Sequence, residues 1–333
     1  MLLRLVSCFF CFLLISVSHL RVEAQSIPES EERFWAKFTM SGELPAQLLS
    51  GRSVLFYAGT FNEKQLEQIQ RSYAESGIDA IYAIPVERLL GGHDVRQALH
   101  ASLQKREISN LLFIHKNTDG FHQVVTGYNG QSTFVSSKQS AWENTSSSLS
   151  ELLQQLKREA LASFKVQNLL INEQPETELP IRIFSGSHIE GFTPDLKSDR
   201  LAVRLTQYAE ENEILKQLCG QYPFKVEFVE FTMTDAELRQ KGFWYVLNSV
   251  RGSQTQIREL LGYAEVKSGA QTQTQSTNLT PSNASEILCK FYFKKIEFEH
   301  VYLGKQWDAA ATWQQALENF IGNLRKELNL PQG

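Results

Sequence analysis

Serine, histidine and carboxylate side chains standing close together can carry acyl-transfer chemistry, and one stretch of this chain holds all three: Ser185-Gly186-Ser187-His188, with Glu190 and Asp195 following. A hydroxyl activated by an imidazole that a carboxylate orients is a recurrent hydrolytic arrangement. Ser185, Ser187 and His188 are therefore the candidate catalytic residues. No G-x-S-x-G elbow surrounds them, and neighbours in sequence rarely face one another productively. A hydrolase reading thus requires the fold to bring one of these hydroxyls to a histidine.

Two turns of the pattern small residue, glycine, hydroxyl follow apolar runs: Ala58-Gly59-Thr60 and Ser185-Gly186-Ser187. At the carboxyl end of a strand such a turn can offer backbone N–H groups to a ligand. Gly59, Thr60, Gly186 and Ser187 are accordingly candidate ligand- or partner-binding residues, although a tight turn with a helix cap is the commoner use. Neither turn matches a P-loop. Gly91-Gly92-His93-Asp94 reads as a sharp approach to a helix that Asp94 would cap. His115 and His122 flank the turn Asn117-Thr118-Asp119-Gly120, with Asp119 the one carboxylate close by. Zinc sites use at least three protein ligands, so the pattern predicts no metal site, and no cofactor motif occurs. Two further stretches echo each other, Lys138-Gln139 with Trp142 and Lys305-Gln306 with Trp307. Trp142 and Trp307 are either packing residues or the two sides of a binding groove.

The elements that must position these residues repeat. In the first half the apolar runs 54–57, 78–84 and 111–114 read as strands, separated by helices opening near Asn62 and Asp94. A hairpin partner at 121–126 follows, then a Ser-rich stretch and an amphipathic helix through Leu149, Leu152, Leu153, Leu156 and Ala160. The second half predicts a strand at 181–184, a helix through Leu201, Leu205, Leu215 and Leu218, and an alternating strand at 225–231. A short helix capped by Thr234 follows, then a strand at 243–247 whose hairpin partner is 256–263, although Ile257, Leu260 and Leu261 would also suit a helical turn. Extended chain from 287 to 303 and a closing helix through Trp313, Phe320 and Leu328 end the pattern. The fold class is α/β: two tandem similar modules in the order β-α-β-α-β-β-(β)-α, each a mixed sheet with helices packed on it. The element order resembles that of small N-terminal domains of bacterial envelope assembly proteins of the TolB type, a likeness of topology.

The expected organisation is a signal peptide at 1–24, an N-terminal segment at 25–51 whose aromatics cover an edge of the first module, and that module at 52–166. A linker at 167–180 and the second module at 181–330 follow, with a disordered Gln/Thr/Ser loop at 267–286. Arg4, the apolar run Leu5–Val17 and the small residues Val22 and Ala24 form the secretory pattern, too short to span a bilayer. A net charge of −4 with charges of both signs mixed along the chain argues against nucleic acid as a partner. Cys219 and Cys289 remain after cleavage and either pair or sit apart as buried thiols. The triplets Asn144-Thr145-Ser146, Asn278-Leu279-Thr280 and Asn283-Ala284-Ser285 would accept glycans in a eukaryotic secretory route. With no catalytic motif and a duplicated architecture, the expected function is that of an exported non-enzymatic protein, periplasmic or extracellular, binding a protein partner in the bacterial envelope. The alternatives are a secreted hydrolase with a site near Ser185–His188 and a small-ligand binding protein with its site between the modules.

Overall fold

The runs Val54–Tyr57 and Leu111–Ile114 are apolar without interruption because both become central strands with each face covered, where alternation has no use. The computed structural model describes residues 25–164, 168–177, 179, 181–264 and 286–331. The first half contains α1 (Glu31–Trp35), β1 (Phe38–Met40), β2 (Arg52–Ala58), α2 (Glu63–Glu75), β3 (Asp79–Pro85) and α3 (Val86–Leu89). It continues with α4 (His93–Lys105), β4 (Ile108–Lys116), β5 (Phe121–Gly127), β6 (Gln139–Ser146) and α5 (Leu149–Ser163). The second half contains β7 (His188–Ile189), a 3-10 turn at Pro194–Lys197, β8 (Leu201–Arg204), α6 (Ala209–Cys219), β9 (Val226–Val229) and α7 (Asp235–Gln240). β10 (Tyr245–Ser253), α8 (Gln254–Leu261), β11 (Ile287–Lys295), β12 (His300–Tyr302) and α9 (Trp313–Glu327) complete it.

The strands form two six-stranded mixed sheets, ordered β1-β6-β5-β4-β2-β3 and β7-β12-β11-β10-β8-β9. Read from edge to edge, the pairings run parallel, antiparallel, antiparallel, parallel, parallel in both. The mixed α/β fold class and the likeness of the two modules therefore hold, and the likeness is one of topology at every strand position.

That correspondence corrects several sequence expectations. Ile181–Phe184 is not in a strand. The counterpart of β2 is β8, in the stretch expected to be helical. Leu201 and Leu205 stand at helical spacing, but Leu201–Arg204 is buried at all four positions, and a short apolar run does not distinguish strand from helix. The turns at Ala58 and Ser185 are thus not equivalent. The segment after β8 that corresponds to Ala58-Gly59-Thr60 is Leu205-Thr206-Gln207. Residues 254–261 form a helix rather than a hairpin strand, because Ser253 accepts from the Gln256 N–H and the Gln256 side chain returns to the Ser253 N–H, a capping box. The Ser-rich stretch conceals β6, where only Ala141, Trp142 and Asn144 turn inward. Trp142 lies within β6 and Trp307 beyond β12, so their echo is not a structural pair either. Residues 267–285 of the expected loop and residues 1–24 lie outside the described residues.

In the first module α2 and α5 cover one face, where Ile69, Tyr73, Leu152 and Leu156 meet Leu55, Leu112 and Val125. The aromatics of the N-terminal segment do cover this module: Phe34, Trp35 and Phe38 cluster on Phe113 at ring centroids 5.2–5.9 Å apart. In the second module α6 and α9 cover β8, β10 and β11 through Leu215, Leu218, Leu317 and Phe320. Cys219 and Cys289 are both free and buried in that core. Burial pushes both thiols up to about 12, so neither is a nucleophile at neutral pH.

The opposite face of the second sheet is closed from two sides. α8 supplies Ile257, Leu260 and Leu261, and α4 of the first module supplies Val95, all packed with Val250, Tyr292 and Val301. α4 is thus shared: Leu99 and Leu103 face the first sheet while Val95 faces the second. Gly92, which precedes α4 at φ +104°, permits this, since a Cβ there would collide with the Ser249 carbonyl oxygen of β10.

Candidate functional site

The start of α4 carries charge into the seam between the modules. Asp94 is not the helix cap; Gly92 holds that position without a side-chain bond. Asp94 lies in the first turn, where a carboxylate is favoured, and its side chain points across the seam. Asn248 Nδ2 donates to it at 2.9 Å, the Tyr292 hydroxyl donates at 2.6 Å, and Lys294 Nζ stands 3.6 Å away. Lys294 also reaches Asp235 at 3.1 Å, and Asp235 pairs with Arg204, whose side chain is fully buried. Burial alone would raise the Asp235 carboxyl; Arg204 and Lys294 overcome it and hold it at about 2. Burial would lower the Lys294 ammonium, yet Asp94 and Asp235 together raise it.

A second buried ionic group adjoins the first. Glu29 lies 2.8 Å from Lys37 Nζ and 3.0 Å from Arg96 Nη1. Next to it, Ser26 Oγ donates to the Leu247 carbonyl oxygen at 2.7 Å and accepts from the Arg204 N–H at 2.8 Å. The Ser249 hydroxyl donates to the Ser26 carbonyl oxygen at 2.7 Å. The N-terminal segment therefore serves both modules, residues 26 and 27 packing on the second and residues 34–38 on the first.

Above these charges the seam opens into a cavity of about 550 Å³. His93 and Gln97 of α4 form one wall and residues 182–185 another; Asp235, Lys294 and Glu299 close the rest. His93 is 9% exposed and makes no hydrogen bond with its ring among the described residues. Its nearest carboxylate, Asp94, is 4.0 Å from Nε2. Burial lowers its imidazole to about 4; Asp94 pulls it up and Arg204 pushes it further down.

Because the folded value lies below the ordinary one, the unfolded chain binds the extra proton between the two. The stability that goes with neutral His93 is present above about pH 6.5 and is lost as the pH falls towards 4. The loss is expected to reach about 3 kcal/mol, from some 1.4 kcal/mol per pH unit. Urea unfolding of wild type and His93→Phe at pH 7 and pH 4 measures it: the variant should lose distinctly less stability across that interval, and equal losses would refute the assignment.

The sequence-flagged residues are scattered. Ser185 reaches the cavity, but its hydroxyl donates to Glu299 at 2.5 Å and its N–H to the same carboxylate at 3.0 Å. The Ser187 N–H donates to His300 Nδ1 at 2.8 Å. His188 bonds the Leu261 carbonyl oxygen through Nδ1 at 2.6 Å and Glu190 through Nε2 at 3.1 Å. No hydroxyl of Ser185 or Ser187 meets a histidine among the described residues. Gly186 passes against the backbone of 298–299, too close for a Cβ. At the other turn Lys116 Nζ donates to the Thr60 carbonyl oxygen at 3.0 Å. A capping box between Asn62 and Gln65 fills the start of α2, and Gly59 at φ +90° packs on the Lys116 carbonyl oxygen. Trp142 is buried and donates to Glu159 at 2.5 Å. Trp307 is partly buried beside Tyr263, at ring centroids 5.6 Å apart. His115 and His122 pair across β4 and β5, and the carboxylate near His122 is Glu143 at 3.3 Å rather than Asp119. Among the described residues no three potential metal ligands cluster. Asn144 is buried, its amide donating to the Leu152 carbonyl oxygen at 3.3 Å, so that triplet is closed to a glycan; the other two lie outside the described residues.

A larger trough, of about 1210 Å³, runs between α2 and residues 169–175. This strap is tied down at both ends: Asn168 Nδ2 donates to the Gly77 carbonyl oxygen at 3.1 Å, and Glu176 bridges Tyr82 of β3. Gln70 Nε2 donates to the Asn172 carbonyl oxygen at 2.8 Å between them. Leu66, Ala74 and Ile171 line the trough, and Glu63, Glu67 and Glu173 stand along it with no ion pair among the described residues. Leu169 and Leu170 project beside it, 98% and 88% exposed.

Comparison with known proteins finds no matching family model, curated protein or solved structure.

Proposed function

We propose that this chain is an exported, non-enzymatic protein that binds a protein partner in the bacterial envelope. The observation that carries the reading is the trough beside α2. Two adjacent leucines almost wholly in water are unfavourable for a free protein and are at home in an interface. Their surroundings, acidic on balance with Glu63, Glu67 and Glu173 against Arg71, select the partner's chemistry: a basic, amphipathic segment whose apolar side chains meet Leu169, Leu170 and Leu66 while its cations face Glu63, Glu67 and Glu173. The buried charges of the seam favour modules held as one body, so the surface is preformed and little ordering cost opposes binding. Export rests on the N-terminal pattern of residues 1–24, and no helix among the described residues is long and apolar enough to cross a membrane. The hydrolase alternative lacks a serine–histidine bond, as described above.

Affinity capture of the chain from its source envelope fraction, with cross-linking read by mass spectrometry, tests the proposal. A stoichiometric partner should cross-link to α2 and residues 168–176 and weaken with salt. It should be lost with Leu170→Asp and with Glu67→Lys. The reading fails if no stoichiometric partner is recovered, or if both variants retain it.

A further inference from the structure

We propose that the seam cavity is a binding site for a small, neutral, polyhydroxylated molecule of the size of a free mono- or disaccharide. The site is separate from the trough and independent of it. At about 550 Å³ it falls within the range of small-ligand pockets. Its inner charges cancel: Asp94 and Asp235 face Lys294 and Arg204. At the mouth Arg182 and Glu299 again offset each other. An anion would meet three carboxylates and a cation three positive side chains, each desolvated at a cost. A neutral molecule with many hydroxyls meets neither penalty.

The hydrogen-bonding groups left over suit such a molecule. His93 is nine-tenths buried, borders the cavity and makes no ring hydrogen bond among the described residues. Its neutral ring offers one donor and one acceptor, and a hydroxyl answers both. The Gln97 amide nitrogen is used on Ser132 at 3.2 Å, while its carbonyl oxygen makes no bond among the described residues. Phe184, Ile183 and Ala98 supply apolar surface for the C–H face that a sugar ring presents. The wall is already set: Arg182 Nε donates to the Phe184 carbonyl oxygen at 2.8 Å and Nη2 to that of Ser185 at 3.2 Å. Preorganisation of this kind lowers the cost of binding.

Titration calorimetry tests the site with glucose, galactose, N-acetylglucosamine and maltose as neutral probes, and inorganic phosphate, glutamate and lysine as charged ones. At least one saccharide should bind saturably at one site per chain, and no charged probe should. His93→Phe, which keeps the ring's bulk and removes its polar atoms, should weaken binding about tenfold or more, the scale of one or two hydrogen bonds. Gln97→Leu should also weaken it, and carries the test if the His93 variant shifts the unfolding midpoint. The proposal is overturned if no saccharide of the set binds, if a charged probe binds as tightly, or if binding survives both substitutions.

Discussion

Replacing Lys290 by Met is expected to destabilise the protein by about 3–5 kcal/mol, the usual cost of leaving one member of a buried ion pair alone. Lys290 and Asp308 both have fully buried side chains, with Nζ 2.5 Å from Oδ1. Lys290 also donates to the Leu303 carbonyl oxygen at 3.4 Å and lies 5.4 Å from the Trp307 ring centre. Burial raises the Asp308 carboxyl even with Lys290 opposing it. Without Lys290 the carboxyl takes up a proton, which caps the loss. The pair ties β11 to the segment entering α9, so the damage falls on the second module. Urea unfolding followed by far-UV dichroism measures the change. The double substitution Lys290→Met, Asp308→Leu should recover most of the loss, because two apolar groups need no compensation. A single variant within about 1 kcal/mol of wild type would show the pair to be dispensable.

Asp94→Ala should bring a loss of similar size, about 3–5 kcal/mol, with a different signature. Its three partners, Asn248, Tyr292 and Lys294, all belong to the second module. The alanine leaves a buried amide and a buried phenol without an acceptor, and leaves Lys294 only Asp235. The modules should therefore loosen at the seam before either melts. Native-state hydrogen exchange is expected to accelerate in α4, β10 and β11 while α2 and α5 keep their protection. Asp94→Asn, which still accepts from Tyr292, should show the milder form. Uniform acceleration throughout the chain would mean that Asp94 supports global stability and does not act as a coupling.

The elements easiest to read in the sequence were those with a strong pattern of their own. α2, α5 and α9 carry long amphipathic faces, and β2 and β4 are continuous apolar runs. β8 has no period of its own, because four buried residues fit strand and helix alike. β6 carries no apolar alternation, because its outward positions are polar and only three residues turn inward. The candidate site was legible in fragments. His93-Asp94 stood out as a helix start, and Ser185 as a hydroxyl in a turn. Their meeting with Asp235, Lys294 and Glu299 depends on chain segments far apart, which no local period encodes. Nor does local pattern distinguish a lysine such as Lys294, bound for a seam, from one on the surface. The cavity between the modules is lined by residues 182–185, whereas the strand residues 54–57 do not line it.

The bonds of Ser26 carry a kinetic consequence. This residue, among the first of the described chain, is anchored to Leu247 and Ser249, which lie 221 and 223 positions later. Contacts of such long range close large loops and are slow to form. The first module can collapse on nearer neighbours, but the seam must wait until β8 and β10 exist. During synthesis, Ser26 and Ile27 therefore remain without their final partners until the second sheet has been made. Any factor that holds this segment for longer than that would delay the locking of one module onto the other.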